Sequence, residues 1–445
     1  MKLDAVRGRH ILLGEEFTPA TVTMHDGRIQ QFLPFEERVD GLCLDVADTA
    51  YVVPGVVDTH VHINEPGRTE WEGFATATAA AGFGGVTTLI DMPLNAIPPT
   101  TTVAHLRMKQ RAAAEQLMVD VGFWGGAVPD NLADLESLWE QGVFGFKCFL
   151  ADSGVPEFPP LEPTRFLAAL REIARFDGLM IVHAEDAGVL AAHAPAGGSR
   201  AYSDFVASRP EQAELSAIRQ VLDGARETGA RVHILHLSSA RALELIEEAK
   251  SEGLRVTVET CPHYLVFDAE TIPDAAPQFK CCPPIRDRGN REELWAGLRS
   301  GIIDHVVSDH SPTTPQMKLR GDGDYQQAWG GVSGLQVGFA AIAHEARRRD
   351  IPLSHVSTWM SRNTADLVGL GQKGRIAIGA DADLAVYDTA IPFDIRADQL
   401  AHRNAISAFD GLSLGGRVTH TVVRGEVVDT ERPNHRWGNQ LRRNT

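Results

Sequence analysis

Residues 51–62 read Tyr-Val-Val-Pro-Gly-Val-Val-Asp-Thr-His-Val-His, an apolar run that closes on Asp58-Thr59-His60-Val61-His62. Alternate residues of a strand point to opposite faces, so His60 and His62 share a face and aim two imidazoles at one point. The segment predicts a strand whose end opens a metal site. Two hydrogen-bonded histidines would leave the same His-x-His mark, so the decision falls to the rest of the chain.

Working outward, further short apolar runs of strand type occupy residues 86–92, 119–124, 144–149, 179–182, 232–237, 256–260 and 305–308. With Val56-Val57 they make eight, and helical stretches at 164–176, 211–228 and 240–252 separate several of them. Alternation of this kind predicts parallel βα units closing as a (β/α)8 TIM barrel, an α/β fold. Residues 1–53 have a different texture, with Ile11-Leu12-Leu13 and Thr21-Val22-Thr23-Met24 punctuated by turns at Asp26-Gly27 and Asp40-Gly41. The same texture returns after residue 372, at 375–378, 384–387 and 419–428. The expected organisation is therefore a small β-sandwich built from both termini (1–53 and 372–445) around a barrel at 54–371.

Composition narrows the function. The chain of 445 residues carries a formal charge of -17, with no Lys/Arg run and no basic-aromatic stripe, so nucleic acid is not an expected partner. Five cysteines (Cys43, Cys148, Cys261, Cys281 and Cys282) form an odd set without C-x-x-C spacing, which fits a reducing cytoplasm. No eighteen apolar residues run together, so no membrane span is expected.

Active sites of such barrels lie where the strands end. Strand one ends in His60 and His62, strand four carries Lys147, strand five ends in His183, strand six in His236 and strand eight in Asp309. Four imidazoles and a carboxylate exceed what one tetrahedral zinc with an open position can use. The set predicts two divalent metal ions, an arrangement that activates a hydroxide and polarises the bond it attacks, so hydrolysis is the natural reaction class.

Lys147 lies within Gly145-Phe146-Lys147-Cys148-Phe149-Leu150, where an unpaired ammonium is costly to bury. An ion-paired or snorkelling lysine, a Schiff-base lysine, and a lysine carboxylated by carbon dioxide into a metal-bridging carbamate are the readings open to it. The surrounding histidines favour the carbamate. Two dications, a carbamate, the Asp309 carboxylate and a hydroxide leave about +1, whereas a free ammonium would be repelled. His233 reads as a structural strand residue, with His263 and His310 as neighbours of the site outside the ligand set.

Several longer motifs now join the pattern: Pro54-Gly55-Val56-Val57-Asp58-Thr59-His60-Val61-His62, His183-Ala184-Glu185, His236-Leu237-Ser238, Ser308-Asp309-His310-Ser311-Pro312, and Lys373-Gly374-Arg375-Ile376 leading to Asp381-Ala382-Asp383-Leu384. With the Gly145-Phe146-Lys147 strand, they make the chain resemble the amidohydrolase superfamily over nearly its whole length. The resemblance is to the cyclic-amidase branch of allantoinases, dihydroorotases and hydantoinases or dihydropyrimidinases. It implies a binuclear centre, usually zinc, held by His60, His62, N6-carboxylated Lys147, His183, His236 and Asp309, with Asp309 also the catalytic proton carrier. Manganese, cobalt or iron would suit the same donors. The resemblance also implies a small cyclic ureide or amide substrate and a homo-oligomer, commonly a tetramer.

Local patterns discriminate within the branch. Dihydroorotases typically carry an arginine that clamps the substrate carboxylate where this chain has Asn64. Hydantoinases commonly carry a tyrosine five residues after the bridging lysine, where this chain has Asp152, and an asparagine in the stretch that here reads Gly330-Gly331-Val332-Ser333-Gly334. Ile63-Asn64-Glu65-Pro66-Gly67-Arg68, Asp91-Met92-Pro93-Leu94-Asn95 and Lys147-Cys148-Phe149 resemble the allantoinases best. That likeness makes Asn95, Ser311 and Cys282 candidate substrate contacts, and the expected reaction is opening of a hydantoin ring. Two rivals come from other classes. One is a non-catalytic scaffold, as in relatives that have lost metal ligands, although this chain keeps every one. The other is a metal-free Schiff-base lyase on Lys147, which leaves the histidine cluster unexplained.

Overall fold

The computed structural model describes residues 1–429 and 436–443. Among them, eight parallel strands build the core: β1 (Val56–Val61), β2 (Val86–Asp91), β3 (Asp120–Phe123, resumed after Trp124 by Gly125–Gly126), β4 (Phe146–Phe149), β5 (Leu179–His183), β6 (Arg231–Ile234), β7 (Val256–Thr260) and β8 (His305–Val306). Each pairs with the next in parallel, β3 handing on to β4 through Gly125–Gly126. β1, β2, β4 and β5 are buried at every residue, as strands covered on both faces must be. Outer helices present apolar stripes to them. Pro163–Arg175 buries Phe166, Ala169, Leu170 and Ile173, the i, i+3, i+4, i+7 face of a helix.

The helix expected at 211–228 is found with those bounds, Glu211–Thr228. The one expected at 240–252 divides into a tight turn, Ala240–Ala242, and the helix Leu243–Ser251. Two strands are shorter than the sequence pattern suggests. β6 stops at Ile234 rather than 237, and β8 at Val306 rather than 308. The cause lies just beyond each end, where His236 (φ 34°) and Asp309 (φ 42°) adopt left-handed backbone and leave the pleat.

The seam between β8 and β1 lacks a regular ladder. It is closed by a bridge between Val61 and His310 and by the His62 N–H donating to His310 O at 2.8 Å. The buried Asp58 carboxylate adds to it, accepting from Ser308 N at 3.2 Å and from His60 N at 3.1 Å.

Strands from both ends of the chain share one further sheet, in the order Glu426–Val427, Arg417–Val423, Leu384–Asp388, Ala50–Pro54, Ala5–Leu13, Glu16–His25, Arg28–Pro34, with Cys43–Asp45 also paired to Ala5–Leu13. Residues 375–378, read above as strand-like, stay irregular and contribute Ile376 to the core of this sheet. Residues 430–435 and 444–445, within the expected C-terminal share, lie outside the described residues. Ala50–Pro54 runs into β1 through Gly55, where a Cβ would stand 2.2 Å from Thr87 Oγ1, so only glycine passes.

An ionic knot ties the barrel to this sheet. Lys373 Nζ lies 2.7 Å from Asp120 in β3, 2.7 Å from Asp383 and 3.0 Å from Asp381, and Arg424 also reaches Asp120. Lys373, Asp120 and Asp383 are buried, so removing the cation strands carboxylates away from water. Lys373→Met is expected to cost about 3–5 kcal/mol, read as a lower urea midpoint at constant slope. An unchanged midpoint would mean that Arg424 and solvent satisfy the carboxylates without it.

Candidate metal centre

His60 lies inside β1 and is wholly buried. Its Nδ1 stands 2.5 Å from Glu259 Oε1, leaving Nε2 to face the barrel mouth. That nitrogen is 3.1 Å from Asp309 Oδ1 and 3.4 Å from Lys147 Nζ. His62, one residue past the strand, places Nε2 3.7 Å from the same carboxylate oxygen. Ligand atoms of His60, His62 and Asp309 all lie within 4.8 Å of one another.

His183 closes β5, and His236 follows β6 by two residues. Their ring centres are 4.6 Å apart, and that of His236 is 5.4 Å from that of His60. His183 Nε2 is engaged by Glu185 Oε2 at 2.7 Å, which leaves Nδ1 free, while His236 Nδ1 is buried with no hydrogen-bond partner among the described residues. The structure thus gathers His60, His62, Lys147, His183, His236 and Asp309 at one end of the barrel.

Burial sets the protonation of this cluster. It pushes His62 and His236 well below the ordinary histidine value and His183 below it too, so these rings are neutral and offer lone pairs. His60 is also penalised by burial, but the Asp309 and Glu259 carboxylates raise it above its usual value. Asp309 is held well below the usual carboxylate range because His60, His236 and His62 outweigh its burial. Burial pushes the Lys147 amine down to about 8, and it makes no ion pair among the described residues. Neutral imidazoles, an anionic carboxylate and an orphaned buried nitrogen fit a divalent cation. A second grouping, Cys261, His263 and Asp309, shares the carboxylate, but burial holds the Cys261 thiol protonated and lowers His263 to about 4.

Two carboxylates behind the ligands have roles that the sequence motifs do not assign, although Glu185 stands in one of them. Glu259, in β7, accepts from His60 with one oxygen and lies 2.9 Å from His233 Nε2 with the other, while His233 Nδ1 meets Thr257 at 2.7 Å. Glu185 takes Arg209 in a two-pronged pair at 2.6 and 3.0 Å besides His183. The signals were there. A glutamate inside the apolar strand Val256-Thr257-Val258-Glu259-Thr260 demands a partner, and Glu185 shares a strand face with His183. His233 is therefore no mere strand residue, since it orients the carboxylate that orients His60. His310 faces elsewhere. Its Nε2 meets Glu72 at 3.2 Å and its Nδ1 accepts from Gly334 N at 3.3 Å, which takes both nitrogens out of reach of a substrate.

Above the cluster opens a cavity of about 640 Å³, into which His62, Lys147, His183, His236 and Asp309 project. Asn95, Ser311 and Cys282 all line it, with Asn95 Nδ2 3.5 Å from His62 Nδ1. Asp152 also lines it. Asn64 does not. It is fully buried at φ 67°, with Nδ2 donating to Pro312 O at 3.4 Å.

A sequence profile of the Amidohydrolase family matches residues 51–428. An allantoinase of Streptomyces avermitilis is 53% identical, the match covering 95% of this chain and 94% of that protein. An allantoinase of Saccharomyces cerevisiae is 44% identical, over 97% and 96%. Among solved structures, an L-hydantoinase (dihydropyrimidinase) from Arthrobacter aurescens superposes with a TM-score of 0.90 at 30% identity, over 99% of this chain and 98% of that one.

Glu259→Gln keeps the shape but loses the charge that fixes His60. Metal affinity, measured by competition with a chromogenic chelator, is expected to fall roughly 10–100-fold. Unchanged affinity would mean that packing alone holds the ring.

Proposed function

The chain belongs to the amidohydrolase family, and from that premise we propose that it hydrolyses the hydantoin ring amide of allantoin to give the open-chain diureido acid allantoate. The observation that carries the reaction class is the gathering of four imidazoles, Lys147 and the Asp309 carboxylate under one cavity. The choice of allantoin rests on the near-full-length relatives named as allantoinases. Asn64 supports it, because it offers no cation to a dihydroorotate carboxylate.

Divalent metal ions held by His60, His62, His183, His236, Asp309 and carboxylated Lys147 would activate the attacking water and polarise the amide carbonyl. Asp309 is anionic at neutral pH, so it can accept the proton of that water as it adds to the carbonyl carbon. It then returns the proton to the ring nitrogen as the carbon–nitrogen bond breaks. His60 Nε2 lies 3.1 Å from this carboxylate, so the two groups face one point. An amine lowered to about 8 suits carbamate formation at Lys147, since the neutral form is the one that takes up carbon dioxide. Two zinc ions, a tetramer and a cytoplasmic location belong to the same reading.

The metal-loaded protein is expected to form allantoate faster than it opens dihydroorotate, hydantoin or dihydrouracil at equal concentration. A faster turnover of any other ring would overturn the substrate and leave the hydrolase, and hydrolysis of none would revive the scaffold. Asp309→Asn is expected to lower kcat roughly 10²–10⁴-fold or more. Near-normal turnover with full metal content would remove Asp309 from the proton path.

A further inference from the structure

Lys318 is a buried lysine without a carboxylate. Its ammonium donates to three main-chain carbonyls, Lys280 O at 3.2 Å, Trp329 O at 3.0 Å and Gly331 O at 2.5 Å, and no described acid pairs with it. Three donors meet three acceptors, so the group is fully used. A neighbour repeats the device, with Lys280 Nζ donating to Ala328 O at 2.6 Å. Burying an ammonium against carbonyls alone is expensive, and an apolar side chain would fill the same volume without that cost. Burial lowers this amine to about 7 and the three carbonyls favour its protonated form, so its hydrogen bonds have a task that packing does not explain.

The two segments it joins, 280–282 and 328–331, both line the cavity above the metal centre. They are laced to each other by Gly331 N donating to Lys280 O at 2.8 Å. In a trans peptide the C=O and N–H point in opposite directions. Because Lys280 O and Trp329 O are turned toward Lys318, the N–H groups of Cys281 and Gly330 point away from it. Neither N–H has a partner among the described residues, and both residues line the cavity. We propose that Lys318 is a positioning residue, whose ammonium gathers the carbonyls of 280–282 and 328–331 so that the Cys281 and Gly330 main-chain N–H groups stand ready for an acceptor oxygen of the substrate. That this acceptor is a ureide carbonyl rests on the reaction proposed above.

The test compares metal-loaded wild type with Lys318→Met. Hydrogen–deuterium exchange in the substrate-free proteins is expected to rise in peptides covering 280–282 and 328–331 and to stay unchanged in the barrel strands, with metal content equal. The KM for allantoin should rise roughly tenfold or more, as loss of two oriented donors implies, while kcat changes far less. Unchanged exchange in both segments overturns the proposal, as does an equal fall of kcat with KM unmoved, which would mark a general structural role. If Lys318→Met does not fold, Lys318→Gln, which keeps two N–H donors on a shorter, uncharged side chain, carries the same comparison. A wild type that leaves allantoin untouched defeats the substrate reading alone, and the exchange data still decide the role of Lys318.

Discussion

Everything at the mouth of this barrel depends on how its last strand meets its first. β8 has two residues and a ladder only with β7, so the closure falls to the Val61–His310 bridge and to the Asp58 carboxylate, which holds Ser308 N on one side and His60 N on the other. Burial pushes this carboxyl up to about 6 against the pull of those donors, a measure of what it costs to keep it there. The return is registration. His60 and Asp309 lie on opposite sides of the seam and still meet at 3.1 Å, a distance that a slip of one residue would destroy.

The same principle extends backwards from two of the candidate ligands, His60 and His183. A hydrogen bond at the second nitrogen of a metal-facing imidazole fixes both tautomer and ring orientation. Glu259 commits His60 and is itself fixed by His233, which ends on Thr257. Glu185 commits His183 and is fixed by Arg209. Both carboxylates are held below the usual range, since their cationic and imidazole partners outweigh burial, so they stay anionic acceptors. Behind His60 and His183 the cluster is thus backed by two buried chains whose outer ends are closed, at Thr257 and at Arg209.

Legibility in the sequence followed periodicity. Period-two alternation exposed His60 and His62, and apolar runs located the eight strands, because burial on both faces writes itself into composition. Where the backbone leaves the period, the pattern fails. His236 and Asp309 sit at positive φ, so β6 and β8 end earlier than their apolar residues do. Residues 375–378 looked like a strand because Ile376 is buried, yet they pair with nothing regular. Glu259 was visible as a charge inside an apolar strand, but its partners come from 199 and 26 residues away, and no local pattern names them. Lys318 left still less trace, since what it binds is backbone.

The division of labour between strands and loops accounts for a branch that keeps one chemistry and many substrates. The candidate metal donors stand on or just past strand ends, where the barrel backbone fixes them. Loop residues Cys281–Cys282, Ser311 and Ala328–Gly331 line the same cavity. Gly331, at φ 110°, passes so close to Ser311 O that a Cβ would stand 2.2 Å away, which welds two of these segments together without any side chain. Replacements in these loops and at Asp152, which lines the same cavity, can change what it accepts while the donors at the strand ends stay fixed.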